Sequence, residues 1–225
     1  MKLIRNLQNY DDPHSLASRF RAARRRKIVE LIEATHKAEG RCRILDLGGR
    51  IDYWEPFERV MLERCGVHIT LVNPEAVNPG ADPMFTAMEG DACDMGQWED
   101  GAFDLVHSNS VVEHVGDWPR MEAFAREHRR LAPRYYVQTP YFWFPVEPHF
   151  SAPFFHWRSE QSRARSLMKR GHGFSERAPD LGVAMRDVQH ARLLDKAQFA
   201  FLFPDADYPH ERVAGLTKSL IAVRG

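Results

Sequence analysis

A short apolar run that ends in two glycines is the feature that most constrains the fold of this chain. Residues 43–49 have the sequence Arg-Ile-Leu-Asp-Leu-Gly-Gly, and residues 54–65 carry apolar side chains at helical spacing. A buried strand that turns tightly through glycine into a helix is typical of the first unit of a parallel α/β sheet. The sequence therefore predicts a fold in which strands alternate with helices.

The same alternation continues along most of the chain. Further apolar, β-branched runs occupy residues 68–73, 86–88, 103–108 and 134–139, and helical patterns occupy residues 118–131, 161–170 and 191–201. Two extended runs, 208–213 and 217–223, are separated by Ala214-Gly215 and predict a closing antiparallel hairpin. We expect an α/β fold with a doubly wound, Rossmann-like sheet.

Length and composition predict a single domain, residues 1–225. A helical pattern at 13–38 belongs to an N-terminal extension, residues 1–40. The aromatic and proline-rich passage within residues 140–190 is either a lid or substrate insertion, or an insertion packed on the sheet edge. Cys42, Cys65 and Cys93 lack the spacing of a metal site, so we expect free thiols.

The charge pattern names no macromolecular partner. The formal net charge is zero, so we expect no nucleic-acid partner, and neither a signal peptide nor a membrane-spanning stretch is evident. We therefore expect a cytoplasmic protein. The basic run from Arg19 to Lys27 either forms a solvated helix face, which we favour, or holds a phosphate or an acidic lipid.

Polar or glycine residues follow four of the predicted strands, where ligands bind in a parallel sheet. They are Asp46, Gly48 and Gly49 after the first strand, Asn73 after the second, Asp91 and Ala92 after the third, and Ser108 and Asn109 after the fourth. Glycine lets the backbone approach a ligand, whereas Asn73 and Asp91 offer hydrogen bonds to a ribose and to an adenine amine. A pyrophosphate site needs glycines at positions one, three and six of the turn, which neither Gly48 nor Gly49 begins. The pattern predicts a nucleoside cofactor other than a dinucleotide.

Four ordered motifs resemble those of class I S-adenosylmethionine-dependent methyltransferases. They are Ile-Leu-Asp-Leu-Gly-Gly (44–49), Gly-Asp-Ala (90–92), Phe-Asp-Leu-Val (103–106) and Ser-Asn-Ser-Val-Val-Glu-His-Val (108–115). Gln-Thr-Pro (138–140) and Pro-Val-Glu-Pro-His (145–149) resemble a bacterial, type 11-like branch of that superfamily. The resemblance implies a seven-stranded methyltransferase sheet with an antiparallel last strand, and S-adenosyl-L-methionine as the cofactor.

The resemblance also implies a place for each candidate binding residue. Asp46, Gly48 and Gly49 would line the methionine half of the cofactor, and Asn73 would lie at the ribose. Asp91 and Ala92 would lie at the adenine, and residues 108–110, which include Ser108 and Asn109, beneath the sulfonium.

Methyl transfer mainly requires alignment, but a general base assists when the acceptor must lose a proton. His149 and His114 are the candidates, with Glu113 beside them. Adjacent helical residues point about 100° apart, so one of Glu113 and His114 is expected to be structural. Glu147 and His149, two apart in an extended segment, are expected to point to the same side. With only Glu113, His114 and His149 as ligands, we expect no dedicated metal site.

The sequence thus predicts a methyltransferase that acts on an unidentified small-molecule or sugar-type acceptor. The alternative is a non-catalytic protein of the same fold that docks on another enzyme through its N-terminal helix. Arg50 and Asn73 motivate this alternative, because the superfamily usually has glycine and an acid there. Nucleic-acid methylation rests only on the basic run and is the weakest hypothesis.

Overall fold

The computed structural model describes residues 16–75, 77–173 and 175–225. Its strands are β1 Cys42–Leu47, β2 Val67–Asn73, β3 Phe85–Glu89, β4 Leu105–Asn109, β5 Arg134–Pro140, β6 Val146–Glu147, β7 Ala152–Pro153, β8 Glu211–Val213 and β9 Leu216–Arg224. Seven of them form one sheet in the order β3-β2-β1-β4-β5-β9-β8. The strands β1 to β5 pair in parallel, and β9 pairs antiparallel with both β5 and β8. The predicted Rossmann-like sheet with an antiparallel last strand is confirmed.

The helices are α1 Leu16–Glu39, α2 Ile51–Trp54, α3 Arg59–Arg64, α4 Trp118–Leu131, α5 Glu160–Lys169, α6 Leu181–Gln189 and α7 Lys196–Leu202, with 3-10 turns at Val112–His114 and Phe155–Trp157. Helix α4 has the predicted bounds, and Asp117 caps it by accepting from the Arg120 amide. The predicted start of α1 at Pro13 lies outside the described residues.

Two helical predictions need correction, and one further helix was not predicted. The single helix expected at 54–65 is wrong, because the chain breaks between α2 and α3 at Pro56, which has no amide hydrogen to donate. The helix expected at 191–201 is wrong in its first half, since α7 begins only at Lys196. Helix α6 was not predicted at all, and Asp180 caps it by accepting from the Val183 amide.

Two apolar layers cover the sheet. On one face, Leu45 and Val106 of the central strands pack with Phe124 of α4 and Phe199 of α7. On the other face, buried residues of β1, β2 and β4 pack with residues of α1 and α3, among them Ile28, Ile32, Ile44, Met61 and Ile69. A parallel sheet buried on both faces leaves its strand ends as the accessible polar edge.

Helix α1 lies on its own sheet. Ile28 and Ile32 are fully buried there, and Leu31 is nearly so. The apolar side of α1 is therefore covered within the chain. Among the described residues, no helix combines the length and the apolar character needed to cross a membrane.

The passage after β5 folds around a small apolar cluster of its own. Strands β6 and β7 pair antiparallel, and Phe150 and Phe155 beside them pack with Leu167 of α5 and Val188 of α6. The Phe142 amide donates to Leu194 O, which fastens the start of this passage to the loop before α7.

Candidate functional site

The glycine turn after β1 is shaped by contacts inside the protein. Gly48 has a positive φ of 72°, and a Cβ there would lie 2.6 Å from Val111 Cγ2. A Cβ on Gly49 would lie 2.1 Å from Asp46 Oδ2. Both positions therefore require glycine before any ligand is considered, because a side chain would collide with fixed neighbours.

Asp46 holds this turn from beneath. Its side chain is buried, and its oxygens lie 2.8 Å from Trp54 Nε1, which donates to it, and 2.6 Å from His107 Nδ1. The other ring nitrogen of His107 lies 3.2 Å from the Tyr53 hydroxyl. The carboxylate is thus already engaged, and it fixes the turn through Trp54 and His107 rather than offering a free oxygen to the crevice.

Asn73 and Asp91 lie at the accessible edge of the sheet. The Asn73 side-chain amide donates to Gly49 O at 2.9 Å, which leaves its carbonyl oxygen available. The exposed Asp91 carboxylate accepts from Arg120 Nη2 at 2.8 and 3.0 Å and from the Cys93 amide at 3.0 Å. The pKa of Asp91 is lowered, because these hydrogen bonds outweigh its partial burial.

The residues that end β4 divide into buried and accessible ones. Ser108 is fully buried, with its hydroxyl 3.0 Å from His128 Nε2. Asn109 is half-buried and accepts from Arg24 Nη1 at 3.3 Å. Ala92, beside Asp91, is half-buried as well.

The donors and acceptors along this edge suit a nucleoside. Asn73 and Asp91 offer an amide oxygen and a carboxylate, and the glycine turn lies between them and β4. Asp46 and Ser108 are buried and support this edge from within the protein. The residues present therefore fit the cofactor that the sequence motifs imply.

A cavity of about 730 Å³ lies beside this edge, at the ends of β4 and β5. Side chains of α1, the glycine turn, the passage after β5 and β9 line it, among them Arg25, Tyr53, Asn109, Gln138, Tyr141, Phe144 and Ser219. Of the predicted binding residues, Asn109 and Ser110 line the cavity. Its mixed aromatic and polar walls and its volume are typical of a small-molecule site.

Arg24 reaches this cavity from α1 and is the main residue that the sequence did not single out. It donates to Glu211 through Nε at 2.7 Å and through Nη2 at 3.0 Å, and its Nη1 lies 3.2 Å from Gln138 Oε1. Glu211 also accepts from Lys218 and Ser219. The interpretation of the basic run as a solvated face is therefore wrong for Arg24. The run itself was the signal, but nothing in it distinguished Arg24 from its neighbours.

The candidate catalytic residues meet in one cluster. His149 Nε2 lies 3.2 Å from His114 Nε2, and His149 Nδ1 lies 2.7 Å from Glu147 Oε1, so Glu147 and His149 point to the same side as predicted. Glu113 is fully buried, and its Oε2 accepts from the Thr139 hydroxyl at 2.8 Å. One potential ligand atom from each of Glu113, His114 and His149 lies within 4.8 Å of the others. The expectation that this set holds no metal stays a prediction.

Burial and charged neighbours set the pKa values in this cluster. Burial raises the pKa of Glu113 to about 7, against the opposing effect of its hydrogen bonds. Burial, followed by repulsion from His149, lowers the pKa of His114 to about 4. Burial also opposes protonation of His149, but the hydrogen bond and charge of Glu147 outweigh it, so the pKa of His149 is raised.

The comparisons with known proteins decide the family. A family model described as "Methyltransferase domain" matches residues 16–195. The chain belongs to this methyltransferase family. No curated protein matches the sequence significantly.

Two solved structures are similar to this methyltransferase at low sequence identity, and the first of them shares its fold. The N-terminal domain of EvdMO1 was solved in the presence of S-adenosylhomocysteine (SAH) and D-fucose. It is 19% identical to this chain with a TM-score of 0.51, and the match covers 96% of this chain and 84% of that domain. A SAM-dependent methyltransferase from Methanosarcina mazei is 14% identical with a TM-score of 0.48, covering 82% of this chain and 92% of that one. The methyltransferase is a class I enzyme, and its cofactor is S-adenosyl-L-methionine.

Proposed function

We propose that this methyltransferase methylates a small-molecule, sugar-type acceptor bound in the cavity at the ends of β4 and β5. The observation that carries the proposal is the cavity itself, because it adjoins the glycine turn and has room for a small molecule. Its polar groups suit hydroxyl-rich acceptors, and its aromatic side chains suit the faces of a sugar ring. The D-fucose present with the EvdMO1 domain makes deoxy sugars reasonable first acceptors to test.

The binding residues are assigned by the same proposal. Asn73 would accept from the ribose, Asp91 and Ala92 would border the adenine, and Asn109 would lie below the sulfonium together with Ser108. Gly48 and Gly49 would border the methionine half, and Asp46 would support them from beneath. Bound S-adenosyl-L-methionine supplies an electrophilic methyl group for in-line displacement.

The chain's own residues then align the acceptor and exclude water. Gln138 and Asn109 offer side-chain amides at the cavity wall, and Tyr141 and Phe144 cover it. His149 is the candidate general base, because Pro148 beside it lines the cavity and Glu147 fixes its Nδ1. A proton taken at His149 Nε2 would face His114 Nε2, which lies 3.2 Å away. Buried Glu113 accepts from the Thr139 hydroxyl and so positions the 3-10 turn that carries His114.

Calorimetry followed by a product assay tests the proposal. We expect S-adenosylhomocysteine (SAH) to bind, and its release to rise when purified enzyme and S-adenosyl-L-methionine are mixed with deoxy sugars or nucleotide sugars. His149→Gln is expected to lower kcat more than SAH affinity, whereas His172→Gln, a histidine elsewhere in the same passage, leaves both unchanged. Failure to bind SAH at millimolar concentration would overturn the cofactor assignments. Binding without turnover on any acceptor would favour the non-catalytic alternative.

A further inference from the structure

Three aromatic side chains form an exposed group on the passage after β5. Trp143 is 55% exposed, Phe154 51% and Trp157 41%. The Trp157 ring centroid lies 4.9 Å from that of Phe154 and 5.9 Å from that of Trp143. We call these three residues the aromatic platform. So much adjacent aromatic surface in water is unusual for a chain that acts alone.

The backbone holds the platform in place. Phe142 O accepts from Trp157 Nε1 at 2.9 Å and lies 2.6 Å from His156 Nε2, which ties the two segments together. The Phe154 amide donates to Pro145 O at 2.7 Å. The platform is therefore a fixed surface rather than three independent side chains.

Phe154 is also strained. Its φ of 56° lies in the left-handed region, which a bulky residue rarely adopts. Burial does not offset this strain, because half of the side chain is in solvent. Strain that exposes an apolar group is a feature of binding surfaces rather than of cores.

A row of cations continues from the platform along α5. Arg158, next to Trp157, donates to the Ser162 hydroxyl at 2.7 Å, so its guanidinium lies over the first turn of the helix. Arg165 follows Ser162 by three residues, and Lys169 follows Arg165 by four. Both are exposed, opposite the buried Ala164 and Leu167. We call Arg158, Arg165 and Lys169 the basic stripe.

The basic stripe is electrostatically unbalanced. In the described part of the chain, none of its three cations has a carboxylate within ion-pair distance. Residues 154–170 contain five Lys or Arg and one acid, Glu160. Glu160 accepts from Gln189 of α6 and lies on the helix side away from the stripe. The stripe therefore presents a positive surface although the whole chain is neutral.

We propose that the aromatic platform and the basic stripe dock the protein on an anionic membrane surface. Tryptophan and phenylalanine favour the boundary between headgroups and acyl chains, and cations beside them are attracted to acidic headgroups. A neutral protein or a sugar would complement the side chains of the aromatic platform but not the unpaired charges of the basic stripe. Phe144 and Val146 of the same passage line the cavity, so docking brings the cavity to the membrane.

Vesicle sedimentation of the full chain tests the proposal. We expect the protein to pellet with vesicles of phosphatidylcholine and phosphatidylglycerol in equal parts, but not with phosphatidylcholine alone, and less at high salt. Trp143→Ala with Trp157→Ala, and separately Arg165→Gln with Lys169→Gln, are expected to lower the partition coefficient about tenfold. Phe201→Ala and Arg126→Gln are matched controls, exposed on other helices, and should leave it unchanged.

Phe154→Gly separates docking from folding. Glycine relieves the left-handed strain, so this variant is expected to unfold at the same temperature or higher while its vesicle binding falls severalfold. Equal pelleting with neutral and anionic vesicles, no pelleting, or unchanged pelleting of the platform and stripe variants would each overturn the proposal. Binding of soluble oligosaccharide at the platform without vesicle binding would overturn it in favour of a sugar surface.

Discussion

Arg24 of α1 and Glu211 of β8 form a two-point ion pair across 187 positions of sequence. The side chains are 12% and 4% exposed. Burial alone lowers the pKa of Arg24, but the charge and hydrogen bonds of Glu211 outweigh it and raise that pKa. The pair fixes the first helix to the closing hairpin beside the cavity.

Breaking this pair on one side is expected to destabilise the fold strongly. Arg24→Met leaves Glu211 buried with only Lys218 and Ser219, and we expect a loss of about 3 kcal/mol in the free energy of unfolding. Arg24→Met combined with Glu211→Leu should cost less than Arg24→Met alone, because no uncompensated charge remains. Urea denaturation followed by circular dichroism measures these two variants and Glu211→Leu alone. Strictly additive single effects would contradict a direct coupling.

The contact between Trp54 and Asp46 is expected to control cofactor affinity indirectly. Trp54→Phe removes one hydrogen bond to the buried carboxylate, so we expect about 2 kcal/mol lower stability and a severalfold weaker affinity for SAH. Trp98→Phe is the matched control, because Trp98 packs on Phe103 away from the glycine turn. Unchanged SAH affinity in Trp54→Phe, with a loss in Asp46→Asn, would mean that Asp46 touches the cofactor itself.

Gly48 and Gly80 form a matched pair that separates backbone strain from the steric collision of an added Cβ. Their φ angles are 72° and 69°, but an added Cβ meets Val111 at Gly48 and nothing within 4 Å at Gly80. Gly80→Ala is expected to cost about 1 kcal/mol, and Gly48→Ala about 3 kcal/mol. Val111→Ala should recover part of the Gly48→Ala loss. Equal costs in thermal unfolding for the two glycine variants would exclude the collision.

His128 is expected to make the protein less stable below neutral pH. Complete burial lowers its pKa from 6.5 to about 3. Between these values the unfolded chain binds the proton and the folded chain does not, so stability falls as the pH decreases. The contribution lost at pH 5 is about 2 kcal/mol. His128→Gln should flatten the dependence of unfolding free energy on pH between 6.5 and 5, and an unchanged slope would exclude His128 as its source.

The sequence was sufficient for the sheet because its signals are local. Each central strand carries a short apolar run, such as Ile44-Leu45 in β1 and Leu105-Val106 in β4, and α4 has a capping Asp117 and one apolar side. The break at Pro56 also had a local signal, which the helical spacing around it concealed. Helix α6 packs on α5 in a small cluster of its own rather than on the sheet. Its apolar residues therefore do not continue the alternation of strands and helices that predicts the sheet.

The site was less predictable because its contacts join distant parts of the chain. The predicted strand-end residues do lie along one edge of the sheet. Whether Asp46 faces a ligand or the interior depends on Trp54 and His107, and that choice is made only when β1 pairs with β4. Arg24 needs a partner from the closing hairpin, which no pattern within α1 reveals.

The position of β9 has a consequence for synthesis on the ribosome. This strand, Leu216–Arg224, lies between β5 and β8, and Lys218 and Ser219 complete the cavity wall. A nascent chain that has already released β1 to β5 still exposes the open edge of β5 and an unfinished cavity. The cavity is therefore completed in one late step, and a chain released only as far as β5 carries an unpaired strand edge that a chaperone or a neighbouring nascent chain can reach.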